Sequence, residues 1–287
     1  MAISTRRLIV NADDFGLSQP VNIGIVQAFQ EGILTSTTLL ANAPAFDHAI
    51  HLARENGGLA IGVHLNLVRG RPLSEPERVK ELIDSDGKFR RFRYKNFTEK
   101  FLIAAEVEYR RQIEKVLHSG IVPTHIDFEK HHAWQSRLYE LACRVAAEFN
   151  IKAVRNLTEP VFWAVKNMGW PGMKRLLMSA LLRAGVTLDK RKVALAMPDR
   201  LLGQTEIGLM DEDMWLKMLA NLPEGTSEVM VHPGRLEPFD WVDSDMGASW
   251  LSRSRQVELD AILSPAVHTL IQRHRVELIT FRDLHEE

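Results

Sequence analysis

Short apolar, β-branched segments alternate with longer segments of helical periodicity along most of the chain. The predicted strands are Leu8–Ala12, Ser36–Ala41, Leu59–Leu67, Thr124–Phe128, Lys152–Arg155, Glu228–His232 and Val276–Phe281. The clearest amphipathic helical patterns are Pro20–Gln30, Thr98–His118, Gln135–Phe149 and Trp250–His274. About seven strand–helix units predict a parallel sheet with helices outside it. In a single domain, the simplest such arrangement is a closed or nearly closed α/β barrel.

Two segments interrupt this alternation. Asp86–Lys95 is basic and aromatic, and we favour a solvated loop over an anion or substrate contact. Val161–Val186 carries Trp, Met, Lys and Arg but no acidic residue. Such helices can lie in a membrane interface, although packing on the helix's own domain is more common. We therefore expect a single domain, 1–287, with an inserted helical and loop region around 157–210.

Composition narrows the class of protein. The chain has 287 residues, 45% of them hydrophobic, which is enough for a sizeable core. Its net charge of -1 gives no global indication of a nucleic-acid partner. No segment has the length and apolar character of a membrane span, and no cleavage signal is evident, so we expect a cytoplasmic protein. The single cysteine, Cys143, excludes an intrachain disulfide and is predicted to be a small buried side chain.

The first predicted strand ends in two adjacent carboxylates, Asp13 and Asp14, followed by Phe15 and Gly16. Adjacent carboxylates repel each other and are costly to hold together away from water. A divalent cation would relieve that repulsion, with one Asp binding the ion and the other free to take a proton. A solvated turn explains the same residues equally well, because Asp and Gly are common in turns.

Histidines at three other strands supply partners for the Asp pair. His64 and His125 lie within apolar alternating segments, and His232 ends a strand. Because the carboxyl ends of parallel strands converge on one face, we expect these side chains to meet there. Asp plus two His is a three-ligand set for zinc, while carboxylate and water also suit magnesium or manganese. With a carboxylate as base and a histidine as acid, such a site can hydrolyse an amide or an ester.

Four motifs in this order closely resemble those of the YdjC-like carbohydrate deacetylases. They are Asn11–Gly16, Gly62-Val63-His64, Pro123–Asp127 and Val231–Gly234, and the family-typical segment Gly32–Thr38 accompanies them. The resemblance runs from Leu8 to Leu284. It implies an irregular, TIM-barrel-like (β/α) fold and one divalent metal ion, magnesium or zinc. It also implies an activity, the removal of acetyl groups from N-acetylated sugars.

The substrate implied by the resemblance is an acetylated amino sugar, either free or lipid-linked. One branch of the family acts on chito-oligosaccharides, and another is associated with hopanoid biosynthesis, where the sugar is borne by a lipid. Arg253, Arg255, Glu258 and Leu259, with the C-terminal Phe-Arg-Asp, look more like the hopanoid-associated branch. Transient contact with a membrane surface and a homodimer are both compatible with the sequence.

Carried over by motif, Asp14, His64 and His125 match the metal ligands. Asp13 matches the catalytic base and His232 the acid, and Arg155 matches an arginine that orients Asp13 or the substrate.

The clear departure from the family is Glu129, which replaces a histidine after His-Ile-Asp. Near the expected sugar we place Glu129, His131 and Asp127; the last is also a weaker candidate ligand or a hydrogen-bond partner of a neighbouring side chain.

Two other functions use the same residues. A metal-dependent phosphoester hydrolase needs the same ligands, but the chain has no Gly-rich phosphate loop. A non-catalytic sugar-binding protein would not need an acid–base pair, so Asp13 and His232 favour an enzyme.

Overall fold

The computed structural model describes residues 6–90, 98–130, 136–159, 195–204, 206–236 and 252–285. The strands in these ranges are β1 (Arg6–Phe15), β2 (Ser36–Leu39), β3 (Ala60–Leu65), β4 (His125–Phe128), β5 (Ala153–Val154), β6 (Arg200–Leu202), β7 (Gly225–Val231) and β8 (Glu277–Leu278). The helices are α1 (Gln19–Glu31), α2 (Phe46–Glu55), α3 (Glu99–His118), α4 (Ser136–Glu148), α5 (Glu212–Ala220), α6 (Ser252–Ile262) and α7 (Pro265–Arg273). Two 3₁₀ turns, Pro76–Arg78 and Phe281–His285, complete the described elements.

The strands form one parallel sheet in the order β5-β4-β3-β2-β1-β7-β6, and β8 pairs with β1. The segment before β6 approaches the opposite edge of this sheet. There Val154 donates a backbone hydrogen bond to Ala196 (2.9 Å) and Ala196 donates to Lys152 (2.8 Å). The sheet therefore curls towards closure, and the predicted TIM-barrel-like α/β architecture is confirmed.

Side chains alternate between the two faces of the curled sheet, as the strand period of two requires. On β1, Leu8, Val10 and Ala12 pack in the main hydrophobic core. Ile9 belongs to a separate small cluster with Ala153, Ile279 and Phe281. This second cluster forms the floor of the sheet's inner face, and the inner-face residues that follow it along β1 are Asn11 and Asp13.

Two local features were not anticipated from the sequence. β6 is only three residues long and lies between Pro198 and Gly203, so it has no alternating pattern to detect. The predicted helix Trp250–His274 is two helices, because Ser264 caps α7 through the backbone N–H groups of Ala266 and Val267. A serine N-cap followed by proline begins a new helix.

Other sequence expectations are met only in part by the described residues. Cys143 is buried in α4, as predicted. Val161–Val186, most of the predicted insertion and residues 91–95 lie outside the described ranges. Within Asp86–Arg90, Phe89 is buried and forms an antiparallel bridge with Ile83, so this part is more than a solvated loop. Among the described helices, none is both long and apolar enough to cross a membrane.

We predict that Gly62→Ala lowers the free energy of unfolding by about 2 kcal/mol or more, because overpacking a close-packed core forces its neighbours apart. A Cβ at Gly62 would lie 2.6 Å from Cε1 and 2.7 Å from the backbone oxygen of His125. Urea denaturation measures the change. Gly57→Ala is the matched control, because a Cβ there meets nothing within 4 Å. Equal midpoints for the two variants would contradict the close approach of β3 and β4.

Candidate active site

The two adjacent aspartates reach the same pocket because β1 is irregular at its end. The register between β1 and β2 shifts between Ala12 and Phe15, and Asp14 has a φ of 74°. In a regular strand, neighbouring side chains point to opposite faces, whereas a bulge with a left-handed residue re-aims one of them. Asp13 and Asp14 consequently both line one pocket, and both are buried.

Arg155 fixes Asp13 from beneath the pocket. This arginine follows β5 and is fully buried. Its Nη1 and Nη2 donate to the Asp13 carboxylate at 2.8 and 2.6 Å. Burial alone would raise the pKa of Asp13, but the guanidinium outweighs it and holds that pKa well below its ordinary value. Asp13 is therefore held as a carboxylate in a fixed orientation.

The same guanidinium contacts two further carboxylates on neighbouring strands. Nη1 of Arg155 lies 2.8 Å from Asp127 Oδ2 on β4, and Nε donates to Glu228 Oε1 on β7 at 2.7 Å. Burial raises the pKa of Glu228 to about 7, despite the opposing effect of Arg155. One arginine thus ties together the inner faces of β1, β4 and β7.

His64 lies between two carboxylates. Its Nδ1 is 2.6 Å from Asp127 Oδ1, and its Nε2 is 3.0 Å from Glu129 Oε2. Although burial lowers the pKa of His64, Asp127 and Glu129 raise it well above the ordinary value.

Within the described ranges, two groups of ligand atoms lie close enough to hold an ion. One is formed by Asp14, His64 and Glu129, and the other by Asp13, His64 and Asp127, each with its atoms within 4.8 Å of one another.

His125 is not in either group. Its ring stacks on Phe281, with 3.6 Å between the ring centroids, and Thr124 Oγ1 lies 2.8 Å from its Nδ1. His125 and Asp127 lie two residues apart on β4, so their side chains point to the same face, with Asp127 one layer nearer the carboxyl end of the strand. Glu129 directly follows this strand. His125 thus sits at the floor level of the sheet, while Glu129 lines the pocket. Glu129, rather than His125, stands beside Asp14 and His64. The expected ligand set of Asp14, His64 and His125 stays a prediction, and Glu129 offers an alternative third ligand.

His232 faces Asp13 across the pocket. It follows β7, keeps 20% of its side chain exposed, and its Nε2 lies 4.0 Å from Asp13 Oδ2. Glu258 on α6 anchors the residue, because its Oε2 accepts the backbone N–H of His232 at 2.5 Å and lies 4.0 Å from Nδ1. Burial raises the pKa of Glu258. The histidine is therefore the most accessible of the strand-end histidines placed in the pocket.

Two arginines complete the walls of the pocket. Arg255 donates a hydrogen bond to Asp14 Oδ2, and Arg69 Nη2 lies 2.9 Å from Glu129 Oε1. The cavity bounded by the described residues has a volume of about 80 Å³. That is far below the several hundred cubic ångströms of a pocket that encloses a whole small-molecule ligand. The described residues therefore enclose a narrow cavity at the ends of the strands.

Of the residues singled out in the sequence, Asp13, Asp14, His64, Glu129 and His232 line the pocket, and Asp127 and Arg155 lie directly behind it. His131 lies outside the described residues. Sequence reasoning missed Arg69 and gave no site role to Glu228, Arg255 and Glu258. Of these residues, only Glu228 could have been recognised from the sequence, because it is an acidic residue directly before the apolar segment Val229–Val231 of a buried strand.

A curled parallel sheet with ionisable side chains at the carboxyl ends of its strands is the arrangement of TIM-barrel-like α/β proteins. Within this class the chain belongs to the YdjC-like protein family, whose sequence profile matches residues 7–273.

Related sequences named as carbohydrate deacetylases match almost the whole chain. A carbohydrate deacetylase of Clostridium beijerinckii is 34% identical, with 97% of this chain and 100% of that protein covered. A carbohydrate deacetylase of Listeria welshimeri is 31% identical over the same shares of each chain.

A solved structure from Enterococcus faecalis V583, for which cellobiose-phosphate cleavage has been suggested, superposes with a TM-score of 0.74 at 26% identity. The superposition covers 98% of this chain and 99% of that structure's chain.

Proposed function

We propose that this protein is a metal-dependent hydrolase that removes the N-acetyl group from an acetylated amino sugar. The observation that carries the proposal is the pairing of a fixed, ionised Asp13 with His232 across a small pocket. The carbohydrate deacetylases that share 31–34% of their residues with the chain support the same chemistry.

The side chains beside this pair fit a divalent ion. Asp14, His64 and Glu129 offer two carboxylate oxygens and one imidazole nitrogen, and all three residues are buried. Zinc accepts both ligand types, and magnesium favours the carboxylates. When bound there, such an ion supplies polarisation of the acetyl carbonyl and acidification of a water molecule.

Two residues of the chain, Asp13 and His232, each carry out one proton transfer. Asp13 accepts a proton from the water whose oxygen forms the new bond to the acetyl carbon. His232 donates a proton to the sugar nitrogen as the C–N bond breaks, so that acetate and a free amine leave. Arg155 keeps Asp13 ionised and oriented, and Glu258 holds the backbone of His232. The small cavity accommodates the acetyl group, and the sugar lies outside it.

We predict that Asp13→Asn keeps the ion and loses about 10²- to 10⁴-fold in kcat, the usual contribution of one positioned acid–base group. The amide retains the volume of the side chain but cannot take the proton. Acetate release from an N-acetylated chito-oligosaccharide and from an N-acetylglucosaminyl lipid measures turnover, and elemental analysis measures the ion. Asp47→Asn, on the exposed start of α2, is the control and should be unchanged. Loss of the ion from Asp13→Asn would mean that the roles of Asp13 and Asp14 are exchanged.

We predict that Asp14→Ala, His64→Ala and Glu129→Gln each weaken binding of the ion by at least about tenfold, because each removes a proposed ligand. His125→Phe is the informative comparison, since phenylalanine preserves a ring against Phe281 and offers no ligand atom. Calorimetric titration with Zn²⁺ should give a dissociation constant for His125→Phe close to that of the wild type. Loss of binding in His125→Phe together with normal binding in Glu129→Gln would reverse the proposed ligand set.

For the substrate, we propose the lipid-linked amino sugar first. The resemblance to the hopanoid-associated branch supports this choice, as does the basic, Trp- and Met-containing segment Val161–Val186. We therefore expect a higher kcat/KM for acetate release from an N-acetylglucosaminyl lipid than from the free oligosaccharide. A clear preference for the free sugar would exclude the lipid-linked substrate. Release of phosphate from a sugar phosphate, without any acetate from either substrate, would instead favour a phosphoester hydrolase.

A further inference from the structure

Arg69 is a buried cation directly beside a proposed metal ligand. It lies in the loop after β3, is only 9% exposed, and lines the same pocket as Asp14 and Glu129. Its Nη2 is 2.9 Å from Glu129 Oε1, and its Nε has no hydrogen-bond partner in the described part of the chain. Burial lowers the pKa of Arg69, but Glu129 and Asp14 outweigh this effect and raise it.

The loop holds Arg69 in this position through its backbone. The side chain of Asn66 accepts the backbone N–H of Arg69 at 3.0 Å and donates to its carbonyl oxygen at 2.8 Å. Asn42 donates to the same carbonyl at 3.1 Å. The guanidinium therefore projects from an anchored point of the chain, and its contact with Glu129 is a built feature of the site.

Glu129 is shared between two partners. Its Oε1 faces Arg69, while its Oε2 faces His64, the other proposed ligand. A divalent ion bound by Glu129 and His64 would stand close to the guanidinium, and two cations at short range in a poorly solvated pocket repel each other strongly. Arg69 thus offsets the charge of Glu129 when the ion is absent and opposes the ion when it binds.

We propose that Arg69 lowers the affinity of the site for the divalent ion by competing for Glu129. This inference rests on the proposed function only in taking Asp14, His64 and Glu129 as the ligands. It assigns Arg69 a measurable role in ion binding that does not depend on which substrate the protein hydrolyses.

The test is calorimetric titration of the metal-stripped full-length protein with Zn²⁺ and, separately, Mn²⁺. We expect Arg69→Gln to bind the ion at least about tenfold more tightly than the wild type, because one partly buried opposing charge has been removed. Arg69→Lys keeps the charge and should bind within about threefold of the wild type. Lys130→Gln is the matched control, since Lys130 lines the same pocket and follows Glu129 but is exposed to solvent, where its charge is screened.

Thermal unfolding of each metal-stripped variant shows whether it folds. If Arg69→Gln is unfolded, Arg69→Met, which keeps most of the apolar stem, takes its place in the same titration.

A dissociation constant for Arg69→Gln at least about tenfold below that of the wild type, with Arg69→Lys and Lys130→Gln close to the wild type, would support the proposal. An unchanged or weaker affinity in Arg69→Gln, or an equal gain in Lys130→Gln, would overturn it. Acetate release by the wild type is measured separately. Its absence would refute the deacetylase function, whereas unaltered ion affinity in Arg69→Gln would refute only the role of Arg69.

Discussion

The site depends on one buried guanidinium. Arg155 is fully buried and contacts Asp13, Asp127 and Glu228, which belong to β1, β4 and β7. A buried charge without partners is very costly, and removing one partner of such a pair typically costs about 3–5 kcal/mol. The three strands can therefore come together at this level only in the register that brings their carboxylates to Arg155. The same contacts that satisfy the arginine also hold Asp13 ionised at the edge of the pocket.

The remaining side chains of the pocket follow from this anchor and from the strand period. Asp13 is committed to Arg155, so the bulge at the end of β1 leaves Asp14 for a different partner. Asp127 is likewise committed to Arg155 and Thr38, and it orients His64 through Nδ1. The opposite ring nitrogen, Nε2, then faces Glu129. Arg155 and Asp127, which lie deeper in the sheet, thus orient His64, which lies nearer the pocket. A histidine whose second ring nitrogen is held by a carboxylate has a fixed orientation, which favours its use as a metal ligand.

Much of this could be read from the sequence because it depends on local patterns. All seven strands expected from apolar periodicity are present, and the strand-end motifs at Asp13, His64 and His232 do meet at one pocket. The choice between His125 and Glu129 could not be made in the same way. His125 begins β4 and Glu129 directly follows it, and the layer in which His125 lies is set by its packing on Phe281 at the far end of the chain. Arg69 and Glu258 were missed as site residues because long-range packing brings their loop and helix to the pocket.

The most direct test of the account is anomalous diffraction from crystals of the protein soaked in Zn²⁺. The account predicts one strong peak with Asp14, His64 and Glu129 at about 2.0–2.2 Å, the ring of His125 still stacked on Phe281, and Asp13 still bound to Arg155. A peak coordinated by His125, or by Asp13 and Asp127, would contradict the assignment of ligands and base on which the proposed reaction rests.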